Sequence, residues 1–562
     1  MGRPSIFCAV EQLLSFVMKE HLTMTDLNPP ATRPPWYVTT AIPYVNGKPH
    51  IGFAQETILT DSLARYHRLQ GEVVWFLTGT DENAFKNVQS AEQEGIPTRE
   101  LVERNAAHFY NLRSVLNLSF NDFIRTSAEA RHRAGVEKLW RACYENGDIY
   151  KRPYSGLYCY GCEQFYTESE LVNGLCPEHL TEPTLIEEEN YFFRLSRYAD
   201  RLQKLIASDR LQILPQKRKN EVLSLIRGGL LDFSISRSQT RAHGWGIPVP
   251  GDPEQVIYVW YDALGNYITA LGYADEAPTY ERYWVHNPHR VHVIGKGVIR
   301  FHAVYWPAML LSAHVPLPTS ILVHDYVTLN GGKISKSLGN TVDPVELVER
   351  FGTDALRYYL LREISTTEDG DFTFERFMHA YNSDLADQLG NLLNRVVSMV
   401  GRYYDGIVPA PGPLEQIDRS LVETAQSLPG RIDASLSRFA LDESLDAIWN
   451  LIGAANKYVA DVEPWTLAKL RKSEGEGSYA GERLRTVLYN LVEALRLIAY
   501  HCTPFLPSTA EGIAKQLGIS LSTGENSQDI SLAAEASQWG RYPAGTRLQP
   551  GGVLFPKIML DT

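Results

Sequence analysis

The stretch WYVTTAIPYVNGKPHIGF, residues 36–53, followed by VVWFL at 73–77, decides the fold. Trp36 to Ile42 is β-branched and aromatic, as a buried strand should be. The loop PYVNGKPH comes next, and from Ile51 the apolar residues Ala54, Ile58, Leu63 and Tyr66 fall on one helical side until Gly71. Val73 to Leu77 then makes a second strand. Strand, loop, helix, strand is a βαβ unit, so the expected core is an α/β domain with a parallel sheet and ligands at the strand ends. The loop before the helix favours an anion, because helix N-terminal N–H groups point there and Gly52 lets a phosphate approach the backbone. His50 can donate to such a phosphate, although a loop histidine before a helix is more often structural.

Downstream, residues 151–183 break the rhythm with a short Cys/Gly/Pro-rich insertion, and Val256–Trp260, His292–Ile294 and Ile321–His324 read as further short strands. Strands stop after about Asp384. Leu445, Ile448, Leu451, Ile452, Ala455, Tyr458 and Val459 then keep the spacing of an amphipathic helix, which points to an all-α C-terminal domain. The expected layout is a disordered leader at 1–35, catalytic halves at 36–150 and 237–330 and a zinc-bearing insertion at 151–236. A loop region at 331–384, a helical domain at 385–518 and a linker and tail at 519–562 complete it. Residues 1–23 show no cleavage site or organelle signal and read as a dispensable leader or a misassigned start, since Met24 opens a proline-rich lead into the first strand.

Cys159, Cys162, Cys176 and His179 form C-x2-C-x13-C-x2-H. Two close ligand pairs across a loop can close a tetrahedron around zinc, and four protein ligands leave no open position, so the site is read as structural Zn2+. The segment GGKISKSLGN at 331–340 puts Lys333 and Lys336 in one loop with Ser335 and Ser337, a cationic element suited to polyphosphate; alone it is as readily a solvated basic loop. The composition is that of an ordinary large globular protein, with 44% apolar and 21% charged residues in 562. A net charge of −12 argues against a basic nucleic-acid coat protein but allows a local basic face. No run of about 18 uncharged apolar residues occurs, so no membrane span is expected. Six cysteines, three of them within 159–176, suit a reducing, cytoplasmic compartment.

The pairing of PxxxGxxHIG early with KISKS late resembles the class I aminoacyl-tRNA synthetases. From Trp36 to FPKI at 555–558 the chain is similar to the methionyl branch of that family. The stretches that carry this are FLTGTDE at 76–82, the cysteine–histidine knuckle, NYFFRLS at 190–196, DFSISR at 232–237, WGIPVPGDP at 245–253, VIYVWYDAL at 256–264, RFHAVYWPAMLL at 300–311 and DALRYYLLRE at 354–363. The resemblance implies a Rossmann-like catalytic core and a ligase that makes methionyl-adenylate from methionine and Mg2+-bound ATP, then charges initiator and elongator tRNA. It implies His50, Lys333 and Lys336 as catalytic groups, and Gly52, Glu56, Gly295, Ser335 and Ser337 beside the ATP. The methionine pocket would comprise Ile42, Tyr44, Asp81, Trp260, Ala263, Leu264, Tyr267, Val298 and His302. Asn391, Arg395 and Trp465 would read the anticodon. The Lys217–Lys219 run reads as a surface patch in preference to an acceptor-stem contact. No appended dimerisation domain is visible, which favours a monomer.

Four departures fall on the ATP side. Phe53 replaces the second histidine of the usual box, Asn83 and Ala84 replace a His-Gly pair, Gly297 stands where an aspartate follows the GK, and Asp325 stands where glycine is common. Two other readings stay open on these grounds: a paralogue that spends an aminoacyl-adenylate on amide or ester formation, and a non-catalytic tRNA-binding protein.

Overall fold

The structure, a computed structural model, describes residues 34–161, 163–177, 180–329, 331–333, 342–521 and 537–559. The leader, Cys162, His179, the loop residues Ser335, Lys336 and Ser337, and most of the Ser-rich stretch lie outside the described residues.

Strand β1 (Trp36–Thr40) is buried at every position, because partners flank it on both edges and both faces are covered. It pairs in parallel with β2 (Val74–Thr80), which pairs with β3 (Asp122–Arg125). On its other edge β1 meets β12 (His289–Gly295), then β13 (Ser320–His324) and β7 (Gln212–Leu214), for an order of β3-β2-β1-β12-β13-β7. The chain thus winds outward in one direction from β1 and returns on its other side, so the β1/β12 boundary is where a crevice opens at the carboxyl ends. Helix α1 (Ile51–Leu69) begins there, and most of its residues are buried. It lies against β1 and β2 and also against α3 (Thr353–Arg362).

The insertion is a sheet in which β4 (Ile149–Cys159) pairs with β5 (Gln164–Tyr166) on one edge and runs antiparallel to β6 (Thr184–Phe193) on the other, from Ile149↔Phe193 to Tyr158↔Thr184, with β8 (Phe233–Ser234) beyond β6. Within the expected 151–236, strand β7 instead forms the edge of the main sheet. The expected strand at Val256–Trp260 is also corrected. Strand β11 (Asp252–Ile257) ends before Tyr258 and belongs to a separate antiparallel sheet, while Trp260 lies on helix α2 (Val259–Leu264). An apolar run of five does not distinguish a strand from a short buried helix.

The C-terminal part is helical, with α4 (Asn391–Tyr404), α5 (Leu441–Val462), α6 (Pro464–Glu474) and α7 (Tyr479–Cys502). Its core is continuous with the apolar residues around α1. Residues 537–559, expected as linker and tail, pack back onto this part: Tyr542, Leu548 and Phe555 are buried, and the Glu493 carboxylate accepts from the backbone N–H groups of Gly540, Arg541 and Tyr542 at 2.6, 3.0 and 3.0 Å. Their apolar anchors lack helical or strand periodicity, which is why pattern reading passes over them. Among the described residues, no helix is long and apolar enough to cross a membrane.

Candidate active site

His50 is the N-cap of α1, with extended backbone angles and its Nδ1 accepting from Gly52 N–H at 3.1 Å. Because Nδ1 is an acceptor, the neutral ring carries its proton on Nε2. A side chain on Gly52 would start only 3.1 Å from the imidazole, so glycine at that position keeps the cap in place. Phe53, the residue in the second histidine's place, packs edge-on against Phe109 with ring centroids 5.1 Å apart. The position is therefore filled with an apolar contact.

Glu56, expected at the ATP, has its carboxylate committed to the protein. It accepts from Ala41 N–H at 2.8 Å and Gly295 N–H at 3.1 Å, and meets His324 Nε2 at 3.0 Å. The group draws the carboxyl ends of β1, β12 and β13 together and so shapes the crevice. Gly297 follows β12, and a Cβ there would lie 2.0 Å from the hydroxyl of Tyr326, which follows β13. Asp325 is buried and pairs with Lys217 at 2.7 Å and with Arg218, while Lys219 pairs with Asp209 at 2.7 Å. The basic run at 217–219 is thus engaged in ion pairs within the protein, and Asp325 is one of the groups that hold it.

The expected methionine residues converge beside the crevice. Tyr44 and Asp81 form a parallel bridge beyond β1 and β2, with Asp81 N–H donating to the Pro43 carbonyl at 2.8 Å. Tyr44 faces Trp260 edge-on at 6.3 Å, and Trp260 stacks flat on Phe301 at 3.9 Å. The Tyr267 hydroxyl meets His302 Nε2 at 2.7 Å, and His302 Nδ1 lies 2.9 Å from the Val298 carbonyl. Nδ1 therefore donates and Nε2 accepts, a neutral tautomer consistent with burial, which lowers the His302 pKa to about 4. Ile42, Trp260 and Val298 pack against the cluster that includes Leu264 and Tyr267, and Ala263 is buried on the same helix. Burial raises the Asp81 carboxyl well above the usual carboxylate range, and the charges of Asp262 and Glu163 add to it. Its Oδ1 is buried with no partner among the described residues. A cation brought by a ligand answers both facts.

Three residues, two at this site and one in the helical part, carry no expectation from the sequence. Phe301 forms the floor under Trp260. Asp262 is buried beside Asp81, held by His132 Nε2 at 2.7 Å and Asn83 Nδ2 at 2.7 Å. Asn83, one of the departures, is thus a link to that second carboxylate. Asn456 on α5 meets Arg395 and donates to the Gln388 carbonyl at 3.1 Å. A helical reading of VWYDAL would have set Asp262 apart from Trp260, which is the available signal.

Lys333 is the end of the short strand β15 (Gly332–Lys333), paired with β14 (Val327–Leu329) just beyond the crevice strand β13. Cys159 and Cys176 are buried in one small cluster with Tyr166 and Leu171 flanking them. Asn391 and Arg395 are exposed on one face of α4, and Trp465 at the start of α6 is 49% exposed, too open for a packing role.

The family model described as "tRNA synthetases class I (M)" matches residues 36–184 and 179–397, and the one described as "Anticodon binding domain of methionyl tRNA ligase" matches residues 408–562. A methionine–tRNA ligase of Clostridium acetobutylicum is 45% identical over 528 residues, 94% of this chain and 78% of that one. One from Brucella melitensis is 43% identical over 94% of this chain and 99% of its own length. Among solved structures, Mycobacterium tuberculosis methionyl-tRNA synthetase in complex with methionyl-adenylate superposes with a TM-score of 0.86 at 42% identity, covering 93% of this chain and 100% of that chain.

Proposed function

The chain belongs to the methionine–tRNA ligases of the class I synthetases, and from that premise we propose how its own residues divide the work of activating methionine and charging tRNA. The observation that carries the reading is the buried, unpartnered Asp81 oxygen at one end of an aromatic slot. Asp81 pairs with the methionine ammonium, and Trp260, Tyr267, Leu264, Ala263, Ile42 and Val298 surround the thioether, a polarizable group that favours aromatic neighbours. Tyr44 and His302 flank the slot with polar edges.

The methionine carboxylate attacks the α-phosphorus of ATP in line, forming the acyl–phosphate bond as the bond to pyrophosphate breaks. His50 donates Nε2–H to a non-bridging α-phosphate oxygen, next to the N-terminal N–H groups of α1. Lys333 and Lys336 neutralise the departing pyrophosphate, and Ser335, Ser337, Gly52 and Gly295 contribute to binding the ATP. Mg2+ enters with the ATP phosphates as part of the substrate. A ribose hydroxyl of the tRNA terminus then attacks the methionyl carbonyl and AMP leaves. Anticodon bases stack on Trp465 and bond Asn391 and Arg395, which Asn456 orients.

Two thiols buried in one cluster suit a Zn2+ site completed by Cys162 and His179. Such a site holds the insertion closed and takes no part in the reaction. We read the protein as a cytoplasmic monomer acting on initiator and elongator tRNA alike. The test is methionine-dependent ATP–pyrophosphate exchange followed by charging of tRNA. Both activities are expected; exchange without charging would replace this reading with an adenylate-using paralogue, and neither with a binding protein.

A further inference from the structure

Gly297 and Tyr326 follow neighbouring strands of the crevice, and the tyrosine leaves no room for a side chain at 297. A Cβ at 297 would come within 2.0 Å of the Tyr326 hydroxyl oxygen and 3.2 Å of the ring carbon that bears it. The glycine is exposed and its backbone is not left-handed, so the phenol, and no backbone demand, explains why residue 297 lacks a side chain. Tyr326 is in turn held from two sides. Lys296 lies over its ring at 4.7 Å and reaches Asp369 at 2.5 Å, while Asp369 Oδ1 also accepts from Tyr326 N–H at 3.0 Å. Next to it, buried Asp325 is tied to Lys217 and Arg218. A half-buried tyrosine so braced points a hydroxyl at a fixed place above the ends of β12 and β13.

That place is defined by the crevice. Phosphates belong at the N-terminus of α1, on the β1 side, so the part of a nucleotide extending across β12 towards β13 is its sugar. We infer that the Tyr326 hydroxyl is the hydrogen-bonding contact for the ribose hydroxyls of ATP, occupying space that a side chain at 297 would otherwise take. The inference rests on the activation reading above. A phenol both donates and accepts, as a ribose 2′- or 3′-hydroxyl does, so the pair is matched in either direction. A site built to bond a substrate hydroxyl discriminates against analogues that lack it.

The test compares ATP, 2′-deoxy-ATP and 3′-deoxy-ATP in methionine-dependent exchange by the full-length protein and by Tyr326→Phe. The wild type is expected to lose about tenfold or more in kcat/KM with at least one deoxy analogue. Tyr326→Phe is expected to raise the KM for ATP to the level of that analogue and leave the KM for methionine unchanged. A purely structural role would lower all three nucleotides together. Gly297→Ala should disturb ATP use strongly in the wild type and little further in Tyr326→Phe, where only the ring carbon at 3.2 Å remains. Discrimination kept in full by Tyr326→Phe, or none in the wild type, overturns the inference while exchange itself stands. Absence of methionine-dependent exchange in the wild type would instead remove the reading beneath it.

Discussion

Asp81 is a buried carboxylate whose folded environment resists its charge, since burial comes first and Asp262 and Glu163 add repulsion. In the unfolded chain it ionises near pH ~4, whereas the folded protein holds its proton to a higher pH. Between those two values the folded state binds more protons, so Asp81 makes stability fall as pH rises through the window. With Asp81 assigned to the methionine ammonium as proposed above, the ligand brings the missing positive charge into the site. Its KM should fall with pH across that same window, and the thermal stabilisation it confers should grow. Asp81→Asn removes both dependences. It should raise the methionine KM by about 100-fold, ~3 kcal/mol for an uncompensated buried pair, while the free protein melts no lower than wild type above neutral pH. A variant that kept pH-dependent methionine binding would remove Asp81 from the ammonium. Residue identities at this site were legible because TGTDE and VWYDAL are quoted from a family pattern, whereas pairings were not. Nothing in a linear order says that Asn83 reaches Asp262 across 179 positions, or that Asp325 neutralises Lys217 and Arg218.

At the scale of elements, α1 combines two tasks in its first residue. The His50 ring caps the helix through Nδ1, which puts its proton on Nε2, the group proposed above to meet the α-phosphate. Asparagine is also a good N-cap but lacks the second nitrogen. His50→Asn should therefore leave stability within about 0.5 kcal/mol and lower exchange about 100-fold, the usual loss for one donor to developing charge. His50→Ala should show the same catalytic loss with a further ~1 kcal/mol of stability gone. Urea unfolding beside exchange rates separates the two; equal activity in His50→Asn would make the histidine a cap and nothing more. The insertion offers a second element-scale outcome. With the zinc site proposed above, Cys176→Ser should abolish bound zinc measured by elemental analysis, with the Asp81 slot still binding methionine, because β4–β6 form a sheet separate from the parallel one. Helices with a clear period, such as α1 and α5, are readable because burial of one side imposes it, and β1 is readable from its run of β-branched and aromatic residues buried on both faces. The short α2 is not, since six residues, five of them apolar, between a strand and a glycine satisfy both periods.

Across the whole molecule, the catalytic core and the helical part are joined at Arg357 on α3. Its guanidinium is fully buried and donates to the Phe505 carbonyl at 2.7 Å, the Pro504 carbonyl at 3.1 Å and the Leu116 carbonyl at 3.1 Å, while pairing with Asp61 of α1 at 2.9 Å. The helix that begins at His50 is thus fastened to the end of α7 through one side chain. Burial by itself would raise the Asp61 carboxyl, but the charges of Arg65 and Arg357 and the Ser119 hydrogen bond outweigh it and hold it below the usual range. Such a depressed carboxylate contributes stability that is present above the unfolded value near ~4 and is lost as pH falls through the folded one. Arg357→Met fills the volume and leaves Asp61 with Arg65 as its one charged partner beside the Ser119 hydrogen bonds, and three buried carbonyls without this donor. It should cost about 3–5 kcal/mol at neutral pH and less at acid pH, where Asp61 is protonated in both proteins, so the two stability curves converge on acidification. Because the junction connects the two parts rather than either active surface, charging should fall further than exchange as the anticodon helices lose their fixed relation to α1. Equal losses in the two assays, or parallel stability curves down to low pH, would mean that Arg357 is ordinary packing and that the coupling runs through the shared apolar core instead.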